Sequence, residues 1–192
     1  MAKKSNKIFD VNDTKSLVDK LSDYSLSCED NNAEKKEIKE LLWLYVSNCP
    51  SKKGPKCAKK FHDYGLTANV TYKNLKERIL QKLNLLTKKT YLYYKNTPIL
   101  DQTIWALINK SLNSNEKLVF LVKGDFAEID SLYIRLRNAL AHGNFIRKRK
   151  HYFLWNTNKN DELCFFVSLY FDDLIFIFNS LTNFKTTNLE EK

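Results

Sequence analysis

A periodic run of apolar residues, from about Phe126 to Gly143, constrains the fold more than any other stretch of this chain. The apolar positions recur every three or four residues and are Ile129, Leu132, Tyr133, Leu136 and Leu140. This spacing places them on one face of an α-helix, because successive helical residues turn by about 100°. Glycine readily adopts the left-handed conformation that ends a helix, so Gly143 predicts the C-terminal cap. The run therefore predicts a long amphipathic helix with one buried face.

Helical spacing recurs in most of the remaining sequence. Further helices are predicted at residues 33–47, 72–86, 101–112 and 170–181, with a short one near residues 12–21. The helix at 170–181 is apolar almost all round, which indicates burial or a shared interface. Four glycines and three prolines are few for a sandwich or a barrel.

Extended structure is predicted mainly after Gly143. Residues 145–155 and 163–167 read as the arms of a β-hairpin around a polar turn at 156–161, and the apolar stretch 118–123 is either a strand or a helix lead-in. The expected fold class is therefore all-α, a helical bundle with a small C-terminal hairpin. We expect an N-terminal extension with one short helix (residues 1–32), a helical domain (33–185) and a disordered tail (186–192).

The charge balance favours a polyanionic partner. The 192-residue chain has 32 lysines and arginines against 22 acidic residues, a net charge of +10. Basic side chains release counterions from phosphates on binding, so the excess favours nucleic acid, although a solvated surface also accounts for it. The basic loop at residues 52–60 is open to the same two interpretations. No apolar run reaches membrane-spanning length and no hydrophobic region follows the N-terminus, so we expect a cytoplasmic protein without a membrane partner.

The cysteines suggest free thiols rather than a metal centre. Cys28, Cys49, Cys57 and His62 offer enough ligand types for zinc, but their spacings fit no common zinc pattern. Without an export signal disulfides are not expected either, and buried free thiols are the preferred interpretation. No metal and no cofactor are predicted.

Three polar residues near the end of the long helix are candidate functional groups. Asn138 and His142 lie four residues apart and share a stripe, whereas Arg137 stands roughly 140° around the helix from His142. A long arginine can cover part of that angle, and a second copy of the helix could supply the rest. The structural alternative is that His142 and Gly143 simply cap the helix, with Arg137 and Asn138 solvated.

The string Arg137-Asn138-Ala139-Leu140-Ala141-His142 resembles the motif of HEPN domains. This helical family includes many bacterial toxin and abortive-infection ribonucleases. The resemblance is strongest over about twenty residues and implies a homodimer with both motif copies in one cleft, metal-independent RNA cleavage and 2′,3′-cyclic phosphate ends. It also implies an antitoxin or defence-system partner. Some family members carry a tyrosine two places after the histidine as the target of a modifying partner. Asn144 stands there in this chain, so that form of control is not expected.

The residue types in the motif suit cleavage of RNA. The ribose 2′-hydroxyl can attack the adjacent phosphate, so the enzyme must move protons and hold the charge that grows on phosphorus. Histidine suits the first task because its unperturbed pKa lies near working pH. Arginine suits the second, since its planar fork matches phosphate oxygens. The predicted catalytic residues are thus His142, Arg137 and Asn138, the last orienting a partner or bonding a phosphate oxygen.

The basic residues around the motif are candidates for phosphate contacts. The predicted RNA-binding residues are Arg135, Arg147, Lys148, Arg149 and Lys150. Tyr91, Tyr93 and Tyr94 could stack on bases, but a place in the core or a dimer surface is preferred. The function expected from the sequence is a HEPN-type endoribonuclease. The alternatives are a non-catalytic module of that type that binds nucleic acid or protein and, ranked last, a DNA-binding helical regulator, for which no clear helix-turn-helix stands out.

Overall fold

Five α-helices and five strands make up the part of the chain that the structure describes. The computed structural model describes residues 32–50, 59–85, 89–96, 102–124, 127–148 and 150–184. The helices are α1 (Asn32–Leu41), α2 (Asn69–Leu83), α3 (Gln102–Ser114), α4 (Glu128–Ala141) and α5 (Phe171–Thr182). Helix α1 continues into a π-helical segment, Leu42–Ser47, and a short 3₁₀ turn covers Phe61–Tyr64.

The strands form one mixed sheet. They are β1 (Tyr91–Tyr94), β2 (Leu118–Val122), β3 (Phe145–Lys148), β4 (His151–Thr157) and β5 (Leu163–Tyr170), in the spatial order β1-β2-β5-β4-β3. The parallel pair β1–β2 is joined through α3, and every other neighbouring pair is antiparallel. Such a parallel pair needs a long crossover connection, and α3 provides it.

The core lies on both faces of this sheet. Alternate residues of β2 show how the faces divide, because Val119 and Leu121 pack on one side, whereas Leu118, Phe120 and Val122 pack on the other. The first face is covered by α1, α2, α4 and α5, and the second face by α3. The architecture is therefore an α/β fold in which helices sandwich the sheet.

This architecture corrects the all-α bundle expected from the sequence. The aromatic segment Tyr91–Tyr94 and the run Leu118–Val122 are strands, and β2 is buried along its whole length. A strand covered on both faces has a continuous apolar run instead of an alternating one, so its sequence does not reveal its period. The small hairpin is in fact three strands of a five-stranded sheet.

The stretch predicted as the first hairpin arm contains a second turn. Residues 145–155 divide into β3 and β4, which pair antiparallel with Lys148 opposite His151. The polar turn between β4 and β5 is present, with the backbone N–H of Asn158 donating to the carbonyl of Glu162. The five helices predicted between residues 33 and 181 are all found, with shifted ends. The expected helix near residues 12–21 and the tail at 186–192 lie outside the described residues.

Helix α5 finds its apolar partners within the chain. Leu174, Ile177, Phe178 and Leu181 are buried against the first face of the sheet and its helices. The apolar character of this segment is thus explained by burial in one chain and does not by itself require a second copy. Within the described ranges, no helix combines the length and apolarity that crossing a membrane requires.

Candidate functional site

The C-terminal end of α4 is fixed by a two-bond helix cap. Gly143 has φ +71°, and its N–H donates to the carbonyl of Leu140, while the N–H of Asn144 donates to that of Ala139. These are the two bonds of a Schellman motif. The carbonyl of Asn144 then accepts from the N–H of Trp155, over 3.1 Å. The predicted glycine cap is confirmed, and it ties the helix end to β4.

Arg137 and Asn138 are brought together at this end. Nη1 of Arg137 donates to Oδ1 of Asn138 over 3.4 Å, a long hydrogen bond. Arg137 is half-buried, and its Nε is buried with no partner among the described residues. A half-buried guanidinium with so few acceptors has lost hydration without full compensation, so an anionic oxygen bound here would be favoured.

His142 is the exposed residue that ends α4. Its backbone N–H donates to the carbonyl of Asn138 over 3.0 Å, but its imidazole makes no hydrogen bond within the described part of the chain. No hydrogen bond joins the side chains of His142 and Arg137 there, and helix geometry sets the two residues about 140° apart around the axis. One chain therefore presents an accessible imidazole four residues after the Arg137–Asn138 pair, with no hydrogen bond between the histidine and the arginine among the described residues.

The π-helical segment packs against α4, and Cys49 follows it two residues after its end. Burial raises the pKa of the Cys49 thiol and the charge of Arg137 opposes that shift, which places the guanidinium near Cys49. Trp43 lies on the same segment with 67% of its surface exposed. The exposure of so large an aromatic side chain is unusual, and the sequence analysis did not single out Trp43.

Arg135 faces a different part of the fold. Its carbonyl accepts a hydrogen bond from Nδ2 of Asn156 over 2.6 Å. Burial raises the pKa of Cys164, and the charge of Arg135 and a hydrogen bond from it oppose the rise. Arg135 therefore lies beside the buried Cys164 thiol at the end of the sheet. Its role in RNA binding stays a prediction.

Arg147 is engaged within the protein. Its Nε lies 2.9 Å from Oε2 of Glu37, and the same carboxylate oxygen accepts from the Tyr152 hydroxyl over 3.0 Å. The guanidinium also lies over the Tyr152 ring, at 5.9 Å from its centroid. Only 10% of the Arg147 side chain is exposed. Arg147 thus anchors β3 to α1, and a phosphate would have to compete with Glu37 for it.

The other basic residues after the motif differ from Arg147 in exposure. Lys148 and Lys150 are exposed, one at the end of β3 and the other in the turn before β4. Arg149 lies outside the described residues. Among the described residues of the basic arm, the exposed charge is therefore carried by Lys148 and Lys150.

Two of the four residues weighed as zinc ligands can be located. Cys49 is a buried free thiol, and His62 is exposed with Nε2 3.0 Å from Oδ1 of Asp63. Cys28 and Cys57 lie outside the described residues. Within the described part of the chain no group of three or more His, Cys, Asp or Glu residues is placed to hold a metal ion.

Comparisons of the chain with protein-family models, with curated proteins and with solved structures found no match. The resemblance to HEPN domains thus rests on the motif residues alone, and the helical bundle that it implied is not the fold of this chain.

Proposed function

We propose that the chain is an RNA-cleaving enzyme whose site lies at the C-terminal end of α4. The observation that carries the proposal is the state of Arg137, half-buried with Nε lacking a partner among the described residues and one terminal nitrogen on Asn138. This cation could bind an anionic oxygen, and His142, whose side chain is exposed, is the C-terminal cap residue of the same helix. A phosphodiester with a neighbouring 2′-hydroxyl is a substrate that uses both groups.

Each residue has a distinct role in this proposal. His142 takes the proton from the 2′-hydroxyl or returns one to the leaving 5′-oxygen, and Arg137 stabilises the negative charge on the phosphorane oxygens. Asn138 holds the orientation of the guanidinium through the 3.4 Å contact. The nucleophile belongs to the substrate, so the cyclic phosphate and a free 5′-hydroxyl are the products and no metal-activated water is needed.

The separation of Arg137 and His142 bears on assembly. Because helix geometry sets the two residues about 140° apart within one chain, the proposed site is completed when α4 of a second copy brings its own motif close. A homodimer therefore remains part of the proposal. Its support is this geometry, since the apolar face of α5 is buried within one chain.

A non-catalytic binding module is the second candidate, and one observation favours it. The absence of a hydrogen bond between Arg137 and His142 within the described residues is consistent with a surface that only holds phosphates. In that case Arg137, Lys148 and Lys150 would bind the RNA backbone, and His142 would serve as a helix cap.

Cleavage of a labelled single-stranded RNA in excess chelator separates the two candidates. The proposal expects cleavage by the wild type and a loss of about a hundredfold or more in His142→Ala and in Arg137→Ala. Arg137→Lys should also fail, since an ammonium keeps the charge but loses the two-pronged geometry. RNA with 2′-O-methyl groups should be bound and left intact.

The matched control is His62→Ala, which removes an exposed histidine from a 3₁₀ turn elsewhere on the surface. Only variants that match the wild type in melting temperature and, by light scattering, in dimer content are compared. Equal cleavage by the wild type and His142→Ala would contradict the proposed catalytic site. RNA binding without any cutting would leave the binding module.

A further inference from the structure

A basic groove lies between α2 and α5, lined by residues that have no part in the site at the end of α4. It has a volume of about 530 Å³, and its lining residues are Arg78, Gln81, Lys82 and Phe176. The first three come from the C-terminal half of α2 and Phe176 from α5. One wall is thus cationic and polar, and the other aromatic.

The two cations of this groove are available to a ligand. Arg78 and Lys82 are both exposed, and neither forms an ion pair with any carboxylate in the described ranges. Glu77, the acid next to Arg78 in the sequence, is 3.7 Å from Lys73 instead. Four residues apart, Arg78 and Lys82 lie on one stripe about 6 Å apart along the helix axis. That interval is comparable to the spacing of successive phosphates along a single nucleic-acid strand.

Arg78 is also directed towards the junction of the helices. Burial raises the pKa of Tyr133, and the charge of Arg78 opposes that rise. The Tyr133 hydroxyl donates to the carbonyl of Ile177, the residue after Phe176, over 2.6 Å. Arg78 and Phe176 both line the groove, so cation and ring border the same space.

We propose that this groove binds single-stranded RNA, with Arg78 and Lys82 on consecutive phosphates and a base stacked on Phe176. Gln81 lies between the cations and can bond a sugar hydroxyl or a base edge. An aromatic ring beside a positively charged track is the arrangement that binds single strands without strong sequence preference. In a duplex the bases are paired and stacked on one another, so none is free to stack on Phe176. The net charge of +10 supports the choice of a polyanion.

The inference goes beyond the proposed cleavage site, because none of its residues belongs to α4. It makes the protein a two-point binder of its RNA. A substitution at the end of α4 can then abolish cleavage without loss of RNA binding, and a substitution in the groove between α2 and α5 can weaken RNA binding.

Fluorescence anisotropy with a labelled single-stranded RNA tests the groove. The full chain carries His142→Ala throughout, so that no RNA is cut during the measurement. Arg78→Ala/Lys82→Ala is compared with Lys36→Ala/Lys39→Ala, which removes the same charge from exposed positions on α1. We expect the groove pair to weaken binding about tenfold more than the control pair and to lower the salt slope by more. Phe176→Leu keeps an apolar side chain and should weaken binding about fivefold through lost stacking.

Three results would contradict the proposal that the groove binds single-stranded RNA. They are equal affinities for the two double variants, an unchanged affinity in Phe176→Leu, and a duplex RNA bound as tightly as the single strand. A parent protein that does not bind single-stranded RNA at all overturns it too. If the wild type cuts no RNA but the groove pair still loses binding, the cleavage proposal fails and the groove stands.

Discussion

The imidazole of His151 donates a hydrogen bond through Nε2 to Oγ of Ser168, over 2.6 Å, in a place almost closed to solvent. The direction follows from the next bond, because Ser168 Oγ gives its own proton to the carbonyl of Glu116 over 2.8 Å. Nδ1 is left buried with no partner among the described residues. Phe153 and Tyr170 border the ring. The arrangement joins the loop before β2 to β5 and β4 and holds the histidine neutral.

Acid should weaken the fold through His151. Burial lowers its pKa to about 4 from the ordinary 6.5, with nearby Asp173 raising it and Lys117 lowering it. The unfolded chain therefore binds more protons between these values, and the free energy of unfolding decreases as the pH falls from 6.5 towards 4. The loss should be on the order of 2–3 kcal/mol. Urea unfolding of the wild type against His151→Phe measures it. The variant keeps the ring and should show a flatter pH dependence, and parallel curves would refute this role.

Asp130 should make the folded protein less stable as the pH rises, the opposite of the effect of His151. It is buried in the first turn of α4, Oδ1 has no partner among the described residues, and burial raises its pKa from 3.8 to about 7. The folded state therefore holds a proton that the unfolded state has lost. Stability from this group is present below pH 3.8 and is lost as the pH rises through 7.

The variant Asp130→Asn isolates this effect. At pH 8 it should unfold with a free energy higher by about 1–2 kcal/mol, less than the pKa shift alone suggests because the helix dipole favours a carboxylate in the first turn. At pH 4 the variant and the wild type should be equal. Calorimetry at the two pH values checks this, and a variant less stable than the wild type at pH 8 would contradict it.

Gly143 should tolerate asparagine better than alanine. A Cβ at this position meets nothing within 4 Å, so the whole cost comes from the positive φ of +71°. Gly143→Ala should lose about 1–2 kcal/mol of stability, and Gly143→Asn clearly less, because asparagine visits the left-handed region more easily. Chemical denaturation measures both. Equal losses would mean that something other than the backbone conformation requires glycine.

Substitutions of the basic residues after the motif should affect either stability or RNA binding. Arg147→Ala leaves Glu37 half-buried without its cation and should cost about 2 kcal/mol of stability. Lys148→Ala/Lys150→Ala should leave the melting temperature unchanged and lower the salt slope of RNA binding by about 2. Melting curves and RNA titrations over a range of salt distinguish the two. A lower slope in a stable Arg147→Ala variant would show that the guanidinium leaves Glu37 for phosphate.

Amphipathicity explains which elements the sequence reveals. Helix α4 has one buried face and one open face, and its period could be read directly. Strand β2 is buried on both faces, and such a strand has no polar positions to mark a period of two. The β3–β4 turn was missed because the residues on either side of it continue in the same extended pattern.

The site shows the same limit at the level of single residues. Asn138 is next to Arg137 in the chain and four residues from His142, so helix geometry alone predicted both relations. Glu37, however, is 110 residues from Arg147, and no local pattern could show that this arginine is paired. Exposure of a charged side chain depends on partners that only the tertiary fold supplies.

The contacts of α1 set the order in which the chain can complete its fold during synthesis. Glu37 meets Arg147 and Tyr152 across 110 and 115 residues, and the Tyr45 hydroxyl donates to the carbonyl of Leu174 across 129. Helix α1 therefore leaves the ribosome long before anything exists for it to dock on. Leu41 of α1 and Tyr45 of the π-helical segment, both fully buried in the folded chain, cannot reach this burial until α5 has been synthesised. Helix α1 thus gains these contacts only after the residues from β3 to α5 have been synthesised, and aggregation of nascent chains should depend on the rate at which the C-terminal third is translated.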